Sequence, residues 1–200
     1  MMQWYEPEVR ALERETASRV SSHHPPVFYG SSSFTLWTTL AEDFDPRVLN
    51  LAFGGSTLEA CDYFFSRLVA PVNPRSLLIY AGDNDLADGR SVDDVLGFFH
   101  SIAGKVAAQF GAIPVGFMSV KLSPVRAAIG DKIRRFNDIM RSEMEALPGG
   151  YYVDVYSAMV DESGRPRTEF FREDGLHLNR DGYHLWGRIL QQYRDRILIE

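Results

Sequence analysis

Short apolar runs alternate five times along this chain with stretches whose apolar residues recur every three to four positions, and that alternation leaves few architectures open. The runs are residues 27–29, 47–53, 76–81, 113–120 and 151–156. Ser76-Leu77-Leu78-Ile79-Tyr80-Ala81 reads most clearly as a strand buried on both faces. Between them, Leu58, Cys61, Phe65 and Leu68 mark one helical face. Val92, Val95, Leu96, Phe99, Ile102, Val106 and Phe110 mark another, with Ser91 as N-cap and Gly111 as stop. A helix over about residues 6–20 precedes the first strand, with Val9, Leu12, Thr16 and Val20 on one side. Phe34, Leu36, Trp37 and Leu40 predict a helix after the first strand, Pro124 opens a long one through residue 147, and Asn179 caps the last. Strand and helix alternating in this way predict a mostly parallel sheet covered on both faces by right-handed crossovers. Ligands of such sheets sit beyond the carboxyl ends of the strands.

At 200 residues the chain fits a single domain spanning 1–200. A net charge of -6, with no basic run beyond Arg134-Arg135, lacks the footprint that phosphate-backbone binding requires, so no nucleic-acid partner is expected. No apolar run approaches the roughly 18 residues of a membrane span. Cys61 is the one cysteine, which excludes an intrachain disulfide and a cysteine-rich zinc site. Asp83-Asn84-Asp85 with Asp88-Gly89 fails as a calcium loop, because Leu86 and Val95 would occupy ligand positions, and no metal is expected. The first residues have neither a basic n-region nor an apolar h-region, so a cytoplasmic protein is expected.

The chemistry collects at strand ends and on one late loop. Asp174 and His177 stand three residues apart around Gly175, a spacing that lets a carboxylate orient an imidazole as general base. The base needs a hydroxyl, and the first strand runs through Gly30 into Ser31-Ser32-Ser33, any of which could supply it. Gly55, after the second strand, could bring a backbone N–H close to a substrate because it has no Cβ. Asn84, after the third, offers a neutral amide donor that does not compete as a base. These are the parts of acyl transfer by serine: nucleophile, base, orienting acid and oxyanion donors. Each alone is ordinary. A serine cluster after a strand is most often a solvated turn, and Asn84 could simply be a cap.

Four blocks in order change that balance. Gly30-Ser31-Ser32, Asn50 through Gly55, Gly82-Asp83-Asn84-Asp85 and Asp174-Gly175-Leu176-His177 together resemble the SGNH subgroup of the GDSL esterases and lipases. The resemblance covers residues 27–182 and implies a three-layer α/β/α fold with a five-stranded parallel sheet in flavodoxin-like order. It favours Ser32 as nucleophile over Ser31 and Ser33, with Asp174 and His177 completing the triad. The Ser32 and Gly55 N–H groups and the Asn84 amide become the oxyanion hole. It implies a cofactor-free esterase acting on a small-molecule carboxylic ester, of short-chain acyl or acetylated-carbohydrate type. Ser31 departs from the family, which usually carries aspartate there, and motivates the alternative of a non-catalytic module that binds an acylated or carbohydrate ligand. Phe34, Trp37, Phe53, Leu86, Leu176 and the Lys121-Leu122-Ser123-Pro124 segment are candidate pocket linings, with loop packing an equal reading. His23 and His24 read as solvated loop residues, and His100 and His184 as packing or surface residues within helices.

Overall fold

The computed structural model describes residues 2–19 and 24–199. Val20 and His23 therefore lie outside the described residues. A 3-10 turn over Met2–Tyr5 leads into α1 (Glu6–Arg19), where Glu6 and Glu8 place negative charge in the first turn. Then come β1 (Pro26–Gly30), α2 (Ser32–Thr35), α3 (Leu40–Asp43), β2 (Leu49–Asn50), α4 (Leu58–Leu68), β3 (Ser76–Tyr80) and α5 (Asp83–Ala87). The rest is α6 (Val92–Phe110), β4 (Val115–Met118), a 3-10 turn (Pro124–Ile129), α7 (Gly130–Ala146), β5 (Gly150–Val153), α8 (Arg180–Gln191) and α9 (Arg194–Ile197).

Among the described residues the five strands form one parallel sheet in the order β2-β1-β3-β4-β5. This is the flavodoxin-like order, with the chain reversing direction across the sheet between β1 and β3. Alternation along each strand sorts the core into two layers. Val27, Tyr29, Leu77, Ile79, Val115 and Phe117 face α4, α6 and α7. Phe28, Leu78, Tyr80 and Met118 face α8 and α9. Trp186 of α8 is the keystone of the second layer, fully buried against Tyr80, Phe34 and Trp37. Burial of a side chain of this kind contributes on the order of 2–3 kcal/mol.

The observed helices follow the sequence reading closely at α4, α6 and α8. Ser91 forms a capping box with Asp94, and the Asn179 side chain accepts from Gly182 N. Two expectations need correction. The helix expected after the serines is two short helices, because Trp37 turns inward and donates its Nε1–H to Asp43 Oδ2 at 2.7 Å. Thr39 and Arg180 meet that same carboxylate oxygen, so the chain folds around Asp43 instead of continuing its helix. The long helix expected from Pro124 begins as a 3-10 turn and becomes α-helical only at Gly130. No helix among the described residues is long and apolar enough to cross a membrane.

Candidate active site

The C-terminal ends of β1, β2 and β3 deliver three of the four sequence blocks to one edge of the sheet. Gly30, the last residue of β1, lies tightly against β3: at φ 148° a Cβ would lie 1.9 Å from the Tyr80 carbonyl oxygen. Only glycine fits. The next residue, Ser31, donates its N–H to that same carbonyl at 2.9 Å. Among the three serines, Ser31 and Ser33 are buried, at 1% and 0% exposure, whereas Ser32 at the first position of α2 is partly exposed. Ser31, which departs from the family pattern, thus packs inside the turn.

Hydrogen bonds tie this turn to its neighbours. Asn50 Nδ2 donates to the Phe34 carbonyl at 2.7 Å while its Oδ1 accepts from Ala52 N, which pins α2 to the end of β2. Ser56 Oγ donates to the Gly30 carbonyl at 2.7 Å. Asn84 Nδ2 donates to the Ser56 carbonyl at 2.9 Å, which leaves the second amide hydrogen for another acceptor. Gly55 sits between these contacts with φ 65°, in the left-handed region. The serine turn, the glycine turn and Asn84 therefore form one hydrogen-bonded unit.

The Asn84 amide is oriented by charge as well. Arg126 Nη2 donates to Asn84 Oδ1 at 2.5 Å, so the carbonyl end faces the guanidinium and the NH₂ end faces Ser56. Arg126 Nη1 lies 2.5 Å from Asp83 Oδ2, an ion pair by distance without the alignment of a hydrogen bond. The buried Lys121 reaches the same oxygen at 3.4 Å, donates to Ser33 Oγ at 2.9 Å and to Tyr80 Oη at 3.1 Å. Burial alone would raise the Asp83 carboxyl, but Lys121 and Arg126 hold it below its ordinary value. Lys121 is itself lowered, by burial first and by the repulsion of Arg126, which outweigh the pull of Asp83. Two cations share one carboxylate beneath Asn84. Sequence reading left this cluster out: Lys121 was expected as a loop residue on the site's edge, and it is only 1% exposed.

The fourth block lies on the loop between β5 and α8. Asp174 Oδ2 meets His177 Nδ1 at 2.8 Å, and Asp174 Oδ1 accepts the backbone N–H groups of Leu176 and His177 at 2.8 and 2.9 Å. Those two backbone bonds, then the imidazole, hold the Asp174 carboxyl well below the usual carboxylate range. With Nδ1 turned to the carboxylate, Nε2 is the nitrogen left for a hydroxyl. Val125 N donates to the Gly175 carbonyl at 3.2 Å, joining this loop to the turn that carries Arg126 and so to Asn84. Next to Asn84, Asp85 Oδ2 accepts Leu58 N at 2.8 Å at the start of α4, and burial raises its carboxyl to about 6.

Most residues expected to line a pocket are core instead. Phe34, Trp37, Phe53 and Leu86 are 0–2% exposed, and among the expected lining residues only Pro124 and Leu176 are partly open. His100 and His184 are surface residues: His100 pairs with Glu143 at 2.7 Å, and His184 lies 3.8 Å from Asp43. Among the described residues, no group of three His, Cys, Asp or Glu side chains could hold a metal ion.

This sheet order, with the four blocks at its edge, is that of the acyl-transferring α/β/α hydrolases. The chain belongs to the GDSL-like lipase/acylhydrolase family, whose model matches residues 22–185. Comparison with curated proteins gives no match. Among solved structures it is similar to a candidate platelet activating factor from Streptococcus pneumonia, at 19% identity and TM-score 0.82 over 96% of this chain and 94% of that one. A candidate acylhydrolase from Bacteroides fragilis aligns at 22% identity and TM-score 0.81, over 92% of this chain and 94% of its own. A GDSL-like lipase from Bacteroides thetaiotaomicron aligns at 23% identity and TM-score 0.77, over 92% of this chain and 97% of its own. These likenesses establish the fold, and the family model establishes the hydrolase class.

Proposed function

We propose that this chain is a serine esterase that cleaves a carboxylic ester through an acyl-enzyme on Ser32. His177 Nε2 takes the Ser32 proton as Oγ attacks the carbonyl carbon, and the carbonyl π pair moves onto oxygen. The Ser32 N–H, the Gly55 N–H and the Asn84 amide stabilise that oxyanion. Its collapse breaks the bond to the alcohol oxygen, which leaves with the proton from His177. Water, deprotonated by the same imidazole, then attacks the acyl-enzyme, releases the acid and restores the Ser32 hydroxyl. Asp174 keeps the proton on Nδ1 and stabilises the imidazolium. No step calls for a cofactor.

The observation that carries this reading is the Asp174–His177 hydrogen bond of 2.8 Å, with the remaining carboxylate oxygen already occupied by two backbone amides. So held, the carboxylate has a single orientation in which to present itself to the imidazole. The test is hydrolysis of p-nitrophenyl acetate and butyrate by the wild type and by Ser32→Ala, with thermal unfolding of both. Ser32→Ala is expected to bring turnover to background at an unchanged Tm, since a partly exposed hydroxyl is lost and no core is emptied. A wild type that binds these esters without turning them over would favour the binding module. Activity retained in Ser32→Ala would remove Ser32 as the nucleophile.

A further inference from the structure

An oxyanion donor is effective when it is aimed before the reaction begins. The Gly55 N–H is carried by two successive glycines, the residues with the most backbone freedom, so its aim must come from contacts outside the pair. The turn supplies little of its own: its closing bond, from Ser56 N to the Phe53 carbonyl, is long at 3.3 Å. Gly55 adopts φ 65° while Gly54 stays outside the positive range, the combination of a type II turn. Among the described residues the Gly55 N–H has no acceptor, and the residue is partly exposed, so this donor is free to meet a substrate oxygen.

The missing constraint comes from residues 2–19, which precede the stretch that matches the family. Glu8 Oε2 accepts Gly54 N at 2.9 Å, and the Tyr5 hydroxyl donates to the Gly55 carbonyl at 3.2 Å. One contact holds the backbone before the Gly54–Gly55 peptide and the other the backbone after it, and the carboxylate makes the first a charge-assisted bond. A Cβ on Gly55 would lie 3.0 Å from Trp4 Cη2, so the indole lies against the bare face of the same glycine. The segment that makes these contacts is itself fixed from elsewhere. Tyr5 packs edge-on against Phe53 and Phe64, at ring distances of 5.3 and 6.2 Å. Arg67 of α4 pairs with Glu6 at 2.6 Å and with Glu13 at 2.8 Å, which docks α1 without touching the turn.

We propose that Tyr5 and Glu8 are positioning residues for the esterase reaction, clamping the Gly54-Gly55 turn so that the Gly55 N–H is already aimed when the oxyanion forms. The inference rests on the esterase reading above. It gives a segment outside the family-matched stretch a share in turnover that the four blocks do not record. Such a clamp acts on the transition state, where the oxygen carries charge, and not on ester binding, so its loss is read in kcat and not in KM.

The experiment measures kcat and KM for p-nitrophenyl acetate, with urea unfolding, in the wild type, Tyr5→Phe, Glu8→Gln, Tyr5→Phe/Glu8→Ala and Glu13→Ala. Each protein is also treated with ethyl p-nitrophenyl methylphosphonate, whose phosphonyl oxygen takes the oxyanion's place, and the rate of Ser32 labelling is followed by mass spectrometry. The double variant is expected to lose about tenfold in kcat and in labelling rate at an unchanged KM, less than the roughly 10²–10³ of a donor removed outright, because the N–H is still present. Tyr5→Phe alone should lose about threefold in both. Glu8→Gln, whose amide oxygen can still accept Gly54 N, should stay near the wild type. Glu13→Ala loosens the same helix and should lower stability while leaving kcat in place. Were the double variant not to fold, Tyr5→Phe set against Glu13→Ala decides alone. A kcat that holds in Tyr5→Phe and in the double variant, a change in KM only, or an equal fall of kcat in Glu13→Ala would overturn the clamp and leave the esterase reading standing. A wild type that is not labelled on Ser32 would overturn the esterase reading, and this inference with it.

Discussion

Asp83 and Asp174 both border the candidate site, and they are carboxylates of opposite kinds. The Asp83 side chain is 5% exposed and meets two cations; the Asp174 side chain is 48% exposed and meets two backbone amides and one imidazole. Asp83 works through what surrounds it. It anchors Lys121, which holds Ser33 beside Ser32, and Arg126, which orients Asn84. Both cations lie against this one carboxylate in surroundings where solvent screens little, so charge fixes the cluster that orients Asn84. In the proposed mechanism Asp174 instead serves a partner that exchanges protons with substrate and water, and its loop is correspondingly open. The difference separates two requirements of acyl transfer: donors fixed before the reaction, and a base that remains accessible during it.

The sharpest way to break the comparison is at Asp174. Asp174→Asn should cut kcat by about 10⁴, the size known for this change in a serine triad, because an amide can hold the imidazole in the wrong tautomer. Its unfolding free energy at neutral pH should fall by less than in an Asp83 variant, since the side chain is half in solvent and an amide oxygen can still accept the Leu176 and His177 N–H groups. A kcat within a few-fold of wild type would place the base elsewhere. Asp83→Ala should do the reverse. Removing the one anion from a buried pair of cations should cost about 3–5 kcal/mol in urea unfolding. Lys121→Met on top of it should recover part of that loss, because one of the stranded charges is then gone. If Asp83→Ala costs no more than Asp174→Asn, the buried cluster is not the structural half of the site.

Asn84→Ala tests where the two halves meet. Loss of one oxyanion donor should lower kcat by about 10²–10³ with little change in KM. Arg126→Gln should move kcat in the same direction by less, since an uncharged donor can still orient the Asn84 carbonyl. An Asn84→Ala protein that loses stability and keeps its kcat would make Asn84 a structural residue of α5.

The exposed half of the site was legible in the sequence and the buried half was not. Asp174 and His177 lie three residues apart, so their contact is local and spacing alone foretells it. The five strands were legible for a similar reason, each being an apolar run bounded by proline or glycine. Lys121 reads as an edge residue because a lysine is almost never fully buried unless paired, and its partners Ser33, Tyr80 and Asp83 come from two other strand ends. Helix α5 was missed because Asp83-Asn84-Asp85 has the composition of a turn. It is helical because Asp83 and Asp85 are both buried against tertiary partners, Arg126 and the start of α4. The contact of Trp4 with Gly55 spans fifty-one positions, and no local pattern announces it.

The smallest expected effect is the most selective, because it asks whether activity and stability respond oppositely to acid. A protonated imidazole cannot accept the Ser32 proton, so acid should lower kcat/KM. Stability should not follow. Asp83 and Asp174 are held below their ordinary values, so the stability they contribute is fully present above the unfolded carboxylate value of roughly 3.9 and is lost only as pH falls through their lower folded values. Asp85 acts with the opposite sign. Its folded value of about 6 lies above its unfolded one, so between pH 6 and 4 the native state binds more protons than the unfolded state, and stability rises as pH falls through that window. A difference of about two units corresponds to at most about 2–3 kcal/mol. From pH 7 to 5, then, kcat/KM should drop while the unfolding free energy holds or increases, and Asp85→Asn should remove the increase and leave the acid limb of activity in place. Urea titrations at half-unit steps, run beside the pH–rate profile, decide it. A stability curve that declines in parallel with activity would mean that acid inactivates this protein by loosening the fold around α5, and the division between a fixed donor side and an accessible base side would no longer hold.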